Sequence, residues 1–215
     1  MTDRRNLAAI DSPEAQDTLL LKIGAAADAS VDWIQIREKD LSGKDCSSLA
    51  REALQRVTKS SPRKAAPARI LVNDRLDIAL SQRAGGVHLG ENSLPLAEVK
   101  RLVENRGERK DFLIGVSCHS SETSRAAASG GAHYLFFGPV FATPSKAAFG
   151  APQGLEQLAE VCRGVSIPVL AIGGITLENA GDCLAAGASG LAAIRLFQDA
   201  RDMSSVVQSL QKLTR

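Results

Sequence analysis

The chain has 215 residues, 44% of them hydrophobic and 23% charged, which is typical of one folded domain over residues 1–215 rather than of a disordered chain. The 26 basic and 24 acidic residues leave a formal charge of +2, which excludes a broad cationic surface for nucleic acid or membranes. Any anionic ligand must therefore be bound by a local cluster.

No stretch approaches the roughly 18 uninterrupted apolar residues of a membrane span, and the charged start lacks the apolar core of a signal peptide. A cytoplasmic protein is expected. The four cysteines are far apart in the chain, which predicts reduced thiols rather than a zinc site or a disulfide framework.

Short apolar runs typical of strands alternate with longer segments of helical period. Seven strands are predicted, at Trp33 to Arg37, Arg69 to Asn73, Gly86 to Leu89, Phe112 to Ser117, His133 to Phe137, Pro168 to Ile172 and Gly190 to Ile194. Eight helices are predicted near residues 13–29, 43–60, 75–84, 94–106, 120–130, 153–163, 176–186 and 199–213. An eighth, very short strand would lie within Met1 to Arg5.

This repetition predicts an α/β fold, a small (β/α)₈ TIM barrel whose first strand is short or truncated. An open doubly wound sheet is the alternative, which eight β-α repeats disfavour. The active site of a barrel lies at the carboxyl ends of the strands, so polar residues there are the first candidates.

The first predicted strand ends in a polar cluster. Because side chains alternate along a strand, Gln35 and Arg37 share the face opposite two isoleucines, and Lys39 follows just above them. A buried amide and cation are costly unless they are paired or face a ligand. The structural alternative is an internal salt bridge from Arg37 to Glu38 or Asp74.

The second predicted strand ends at Asn73, and Asp74 follows it. A carboxylate beside an amide can hold Mg²⁺, which prefers oxygen ligands and often bridges to substrate phosphates. An Asx turn or a helix N-cap is the structural alternative.

Two histidines lie near predicted strand ends. His88 is in the middle of its strand, which favours a buried core residue, whereas His119 follows Ser117 beyond the end of a strand. His119 is therefore placed for proton transfer or for a hydrogen bond to a ligand, and a solvent-facing loop histidine is the alternative.

The segment from Gly138 to Lys146 follows a strand directly and contains Thr143 and Ser145. Two hydroxyls and an ammonium group can all donate to phosphate oxygens, which favours an anion-gripping lid over a plain connection.

A second phosphate site is indicated further along the chain. Gly173 and Gly174 lead into a predicted helix N-terminus, where backbone N–H groups approach an anion, although a tight turn would also require glycine. Ile194 and Arg195 end the last strand, where barrels frequently bind phosphate.

Together these motifs make the chain resemble the thiamine-phosphate synthase family, which also contains the thiazole tautomerases. The resemblance runs from about Thr2 to Phe197 and rests on TDR near the start, Q-x-R-x-K at 35 to 39, NDR at 73 to 75, GVHLG, GVSCHS, GPVFATPSK, QGL at 153 to 155, and AIGGIT. It implies a (β/α)₈ barrel that joins hydroxymethylpyrimidine diphosphate to a thiazole phosphate and releases pyrophosphate, with Mg²⁺ as cofactor.

The resemblance also implies a role for each matching residue. Gln35, Arg37, Lys39 and Asn73 would hold the diphosphate, Asp74 would bind Mg²⁺, Ser117 and Lys146 would contact the leaving group, and Thr143, Ser145, Gly174 and Ile194 would line the thiazole phosphate side. Cleavage of a carbon–diphosphate bond requires cations around the departing oxygens, which agrees with this division.

The chain departs from the family pattern at two site positions. Ser93 stands where synthases commonly carry a second metal-binding aspartate, so weaker Mg²⁺ affinity is expected unless Glu91 or Asn92 compensates. Arg195 stands where a serine is frequent, and an arginine there can grip phosphate bidentately.

A synthase is the favoured activity. The alternatives are a thiazole tautomerase, which needs a proton shuttle but no metal, and a non-catalytic barrel that binds a phosphorylated ligand. A homodimer is expected to pair the edge left by the incomplete first strand.

Overall fold

A computed structural model describes residues 1–7, 13–60, 67–105, 111–143 and 151–213. The chain divides into two compact units, the first formed by Met1–Val87 with Ile194–Lys212 and the second by His88–Ala193 with Leu213. That residues 1–215 form one domain stays a prediction.

Seven strands of the described chain form one sheet with neighbours in the order β1-β2-β3-β4-β5-β6-β7. They are β1 Trp33–Ile36, β2 Arg69–Asn73, β3 Gly86–Leu89, β4 Leu113–Cys118, β5 Tyr134–Phe137, β6 Val169–Ile172 and β7 Gly190–Ala192. All seven predicted strands are confirmed, with ends that shift by at most two residues. The sequential order is that of the predicted TIM-type α/β fold, whereas a doubly wound sheet reverses its order at a switch point, so that alternative is wrong.

The helices of the described residues are α1 Pro13–Asp28, α2 Gly43–Lys59, α3 Leu76–Ser81, α4 Leu96–Asn105, α5 Ser121–Ser129, α6 Gly154–Gly164, α7 Ala180–Ala185, α8 Arg195–Gln198 and α9 Met203–Lys212. The helix predicted near 199–213 is confirmed as α9, but it begins at Met203 rather than near residue 199, and the separate short helix α8 precedes it. Asp202 accepts a hydrogen bond from the Ser205 N–H (3.1 Å), and this N-cap begins α9 separately from α8.

The helix predicted near 176–186 begins later than expected, at Ala180. The Thr176 N–H donates to Asn179 Oδ1 (2.9 Å), and the Asn179 N–H lies 3.4 Å from Thr176 Oγ1. These bonds between side chains and backbone form a turn that competes with helix formation, so the two glycines before Thr176 do not open directly into a helix.

The predicted eighth strand within Met1 to Arg5 is also wrong. Residues Arg4–Asn6 form a 3₁₀ turn, which Asp3 caps by accepting from the Arg5 N–H. The Thr2 N–H donates to the Gln35 carbonyl (2.8 Å), so the start of the chain lies against β1. It does not form a strand there.

The core of the first unit explains the alternation along β1. Ile34 and Ile36 are buried in one apolar cluster with side chains of α1, α2 and α9. Because neighbouring side chains on a strand point to opposite faces, Gln35 projects away from that cluster.

In the second unit, β4 and β5 pair in parallel with Gly115 opposite Tyr134. A Cβ atom at Gly115 would overlap the Tyr134 ring, so only glycine lets that ring cross the face of β4. All four cysteines are free thiols, as predicted. No helix of the described residues has the length and apolar content needed to cross a membrane.

Candidate active site

A chain of side-chain hydrogen bonds joins the carboxyl ends of β1 and β2. Gln35 Nε2 donates to Asn73 Oδ1 (2.8 Å), and Asn73 Nδ2 donates to Asp74 Oδ2 (2.6 Å). The parallel register, which pairs Gln35 with Leu71, brings the ends of the two strands side by side. The structure thus brings Gln35, Asn73 and Asp74 together, and their roles toward a ligand stay predictions.

The structural alternative of a helix N-cap at Asn73 or Asp74 is wrong. Helix α3 begins at Leu76, and its N-cap position, Arg75, makes no side-chain cap. The backbone of Asp74 is left-handed (φ 61°), a conformation that Asp tolerates better than most residues.

Gln35 is only 3% exposed, and its Oε1 has no hydrogen-bond partner among the described residues. Its Nε2 donates to Asn73, so the oxygen is the atom of this amide that lacks a partner in the described part of the chain. A buried acceptor of this kind is costly unless a ligand or a water donates to it.

Arg37 directly follows β1, and the start of the chain holds its backbone. The Arg37 N–H donates to Thr2 Oγ1 (2.9 Å), and its guanidinium lies 3.9 Å from Asp3 Oδ2. Asp3 also accepts two 2.8 Å bonds from the Arg5 side chain, and these bonds lower the pKa of the Asp3 carboxyl. Lys39 is exposed.

The acidic partner predicted for Arg37 was Glu38 or Asp74, and the acid found 3.9 Å from it is Asp3. Glu38 is 6% exposed and its Oε2 accepts from the Arg4 N–H (2.9 Å), whereas its Oε1 has no partner among the described residues. Burial raises the pKa of Glu38. Strand geometry explains the difference, because adjacent residues such as Arg37 and Glu38 point to opposite sides.

Ser117, on β4 of the second unit, contacts a buried histidine. Its Oγ lies 2.9 Å from His88 Nε2, and His88 Nδ1 lies 3.0 Å from the Tyr134 hydroxyl. His88 is 1% exposed and its ring lies 4.2 Å from the Phe136 ring, centroid to centroid. The prediction that His88 is a core residue is confirmed.

His119 lies just beyond β4 and is half-buried. Its Nδ1 is hydrogen bonded to the Gly138 carbonyl, and its Nε2 lies 3.6 Å from Glu91 Oε1. A carbonyl only accepts, so Nδ1 carries a proton in this geometry. His119 is thus not simply a solvent-facing loop residue, and its role toward a ligand stays a prediction.

Ser93, which the resemblance aligns with a second metal-binding aspartate, is hydrogen bonded within its own turn. Its Oγ accepts a hydrogen bond of 2.6 Å from the Gly90 N–H, and its own N–H donates to the Gly90 carbonyl (3.2 Å). The hydroxyl thus closes the turn after β3.

Gly173 and Gly174 both have positive φ angles (96° and 67°). A Cβ atom at Gly173 would lie 2.6 Å from Pro139 Cβ, and one at Gly174 would lie 2.7 Å from the Ala142 carbonyl oxygen. Both positions therefore require glycine, as expected of a tight turn. The turn places the glycine backbone directly against residues 139–142. A role in phosphate binding stays a prediction.

Of the remaining predicted site residues, three lie in described parts of the chain and two do not. Thr143 is partly buried, Ile194 precedes α8, and Arg195 is the exposed first residue of that helix. Ser145 and Lys146 lie outside the described residues.

Two features of the site were missed in the sequence: the contact of Thr2 and Asp3 with Arg37, and the contact of Tyr134 with His88. The spacing in the sequence shows only that Gly115 and Ser117 share one face of their strand, as do Tyr134 and Phe136, and not which residues of other strands they meet.

The donor set at β2 fits Mg²⁺ in its usual mode, in which one or two carboxylates act together with substrate phosphates and water. Asp74 supplies a carboxylate that the Asn73 amide orients. Among the described residues, no group of three His, Cys, Asp or Glu side chains is placed to hold a metal by itself. Any metal at Asp74 would then need further oxygen ligands from a bound substrate or from water.

The comparisons with known proteins agree on one family. A profile described as thiamine monophosphate synthase matches residues 7–197. Thiamine-phosphate synthases of Methanocella arvoryzae and Methanoculleus marisnigri are 43% and 42% identical, over 86% and 90% of this chain and 82% and 86% of their own. A thiamine phosphate pyrophosphorylase structure from Pyrococcus furiosus superposes with a TM-score of 0.80 at 29% identity, covering 99% of this chain and 92% of that one.

Proposed function

Because the chain belongs to the thiamine monophosphate synthase family, we propose that it joins hydroxymethylpyrimidine diphosphate to a thiazole phosphate, forming thiamine phosphate and pyrophosphate. The observation that carries this proposal is the hydrogen-bonded chain from Gln35 through Asn73 to Asp74 at the ends of β1 and β2. It fixes two amides and a carboxylate in one arrangement, which is proposed to bind the diphosphate substrate, as the family resemblance implies.

In the reaction, the bond between the pyrimidine methylene carbon and a diphosphate oxygen breaks, and its electron pair leaves with the diphosphate. The thiazole nitrogen then donates its lone pair to that carbon. Charge builds up on the departing oxygens, so cations positioned around them lower the barrier. Arg37, Lys39 and Lys146 are proposed to supply these cations.

Arg37 is well suited to this role, because Thr2 fixes its backbone and Asp3 lies 3.9 Å from its guanidinium. An arginine that is already oriented loses less conformational freedom when it binds an anion. Ser117 is proposed to contact the leaving group through its hydroxyl.

Asp74 is proposed to bind Mg²⁺, with the Asn73 amide holding its carboxylate in place. When bound, the ion would neutralise charge on the diphosphate oxygens. Since Ser93 supplies no carboxylate, the chain is proposed to depend on substrate oxygens and water for the remaining ligands.

Thr143, Ser145, Gly173, Gly174, Ile194 and Arg195 are proposed to line the thiazole phosphate side. The positive φ angles of both glycines support this proposal, since such backbone can turn its N–H groups toward an anion. Arg195 is proposed to grip the phosphate in place of the serine that is frequent in the family.

The enzyme is further proposed to act on these small phosphorylated substrates in the cytoplasm and to form a homodimer. Equilibrium sedimentation tests the dimer, and a single species with the mass of one 215-residue chain would contradict it.

The decisive assay incubates the purified chain with both phosphorylated substrates, with Mg²⁺ or with EDTA. Pyrophosphate release together with thiamine phosphate is expected only with Mg²⁺. Conversion of a thiazole carboxylate phosphate to its aromatic tautomer, without coupling, would instead indicate a tautomerase. Thermal stabilisation by the substrates without any turnover would indicate a binding protein.

A further inference from the structure

We propose that Tyr134 and His88 are positioning residues that direct the hydroxyl hydrogen of Ser117 toward an oxygen of the bound diphosphate. The proposal rests on the proposed function and extends it to residues with no assigned role. Three strands carry the side chains, since His88 lies on β3, Ser117 on β4 and Tyr134 on β5.

The distances define a continuous path of hydrogen bonds. The Tyr134 hydroxyl lies 3.0 Å from His88 Nδ1, and His88 Nε2 lies 2.9 Å from Ser117 Oγ. Tyr134 is 0% exposed and His88 is 1% exposed, whereas Ser117 is only partly buried. The path thus runs from two fully buried side chains to the partly exposed Ser117.

A neutral imidazole carries one donor nitrogen and one acceptor nitrogen, so hydrogen bonds along this path run in one direction. If Tyr134 donates to Nδ1, then Nε2–H donates to Ser117 Oγ, and the serine hydroxyl must aim its hydrogen elsewhere. In the opposite direction Ser117 donates to Nε2, and it then turns only lone pairs toward an anion.

A diphosphate oxygen is solely an acceptor, so its binding selects the first direction. Each bond in such a path polarises the next, which strengthens the terminal donor. Burial raises the pKa of the Tyr134 phenol, so the hydroxyl at the inner end keeps the proton that it donates.

The surrounding side chains hold the path in place. Gly115 lies opposite Tyr134, and any larger residue would overlap the phenol ring. Phe136 packs its ring 4.2 Å from that of His88 and 5.5 Å from that of Tyr134, centroid to centroid. The imidazole is thereby fixed between its two hydrogen-bond partners.

The test is a double-mutant cycle in which isothermal titration calorimetry measures the affinity for magnesium pyrophosphate. Tyr134→Phe removes a single oxygen and should weaken binding by roughly fivefold, and Ser117→Ala by roughly tenfold. In the Ser117→Ala background, Tyr134→Phe should change the affinity by less than about 1.5-fold, because the path no longer ends on a donor. Equal effects of Tyr134→Phe in both backgrounds would indicate a purely structural role and overturn the proposal.

A second set of variants separates positioning from packing. His88→Gln retains one donor and one acceptor and should recover part of the affinity that His88→Leu loses. Phe137→Leu is the matched control, because Phe137 is buried on the opposite face of β5 and should lower thermal stability without changing pyrophosphate affinity. No rescue by glutamine would contradict the proposal.

Pyrophosphate binding is independent of turnover, so the two proposals fail separately. A wild-type chain that binds pyrophosphate with the expected coupling but forms no thiamine phosphate would refute the synthase activity and keep the positioning role. A wild-type chain that synthesises thiamine phosphate, but whose Tyr134 and Ser117 variants show no coupling, would keep the synthase activity and refute the positioning role. A wild-type chain that binds no pyrophosphate would also refute the positioning role.

Discussion

Ser93 Oγ accepts a hydrogen bond of 2.6 Å from the Gly90 N–H, so the residue that the resemblance aligns with a second metal-binding aspartate closes a turn. The hydroxyl has a local structural role and brings no charge to a metal. Two properties of position 93 can therefore be tested with different substitutions. One is the hydrogen bond that closes the turn, and the other is the negative charge that an aspartate would add.

Ser93→Asp should lower the Mg²⁺ concentration needed for half-maximal synthase activity by about threefold to tenfold, because it adds a carboxylate. An aspartate can also accept from the Gly90 N–H, so the turn should persist. Ser93→Ala is the control, since it removes the turn bond without adding charge and should leave the Mg²⁺ dependence unchanged. An identical Mg²⁺ titration for Ser93→Asp and wild type would refute a metal role for this position.

Asn73→Ala should raise KM for the pyrimidine diphosphate and lower kcat/KM by roughly tenfold or more, since it removes the amide between Gln35 and Asp74. Steady-state kinetics at saturating thiazole phosphate measure the effect. Gln82→Ala is the matched control, because the Gln82 amide donates to Ser47 Oγ (2.9 Å) outside the site. Equal kinetics for the two variants would refute the role of the amide chain.

Glu38→Gln should change how stability depends on pH. Burial raises the pKa of Glu38, so between the ordinary glutamate pKa and this raised pKa the folded chain binds the proton more tightly than the unfolded chain. The free energy of unfolding of the wild type therefore falls as pH rises through that window.

Thermal unfolding of Glu38→Gln and wild type, compared from about pH 4 to about pH 8, measures this dependence. The variant should gain stability relative to wild type as pH rises. Glu160→Gln, which changes an exposed carboxylate on α6, provides the comparison for general charge effects. If the two variants follow the same pH profile, burial of Glu38 does not control the dependence.

Gly115→Ala should lower the free energy of unfolding by about 2 kcal/mol or more, because the added methyl group would overlap the Tyr134 ring in a packed core. Chemical denaturation followed by circular dichroism measures the loss. Gly24→Ala makes the same substitution in α1, where the added atom meets nothing within 4 Å, and should stabilise by about 0.5 to 1 kcal/mol. A neutral Gly115→Ala variant would show that the ring can move aside.

The sequence predicts the fold well because the pattern of strands and helices is local. The two isoleucines of β1 determine which face packs on the helices, and therefore where Gln35 points. The same strand-end logic places Asn73 and Asp74 beside Gln35.

Features that depend on contacts between distant segments were not predictable in this way. The contact of His88 with Tyr134 requires the register of separate strands, and no local pattern encodes that register. The partner of Arg37 is Asp3 rather than an acid nearby in sequence, since the start of the chain folds against β1. Helix ends were wrong where side chains such as Asn179 and Asp202 compete for backbone groups.

Backbone hydrogen bonds hold the chain on both sides of the segment that contains Thr143, Ser145 and Lys146. Before it, Phe141 N–H donates to the Gly173 carbonyl (3.0 Å), and after it, Gln153 N–H donates to the Pro139 carbonyl (2.8 Å). Main-chain bonds of this kind do not depend on the side chains between them. The residues between these two points can therefore be substituted without removing either main-chain bond.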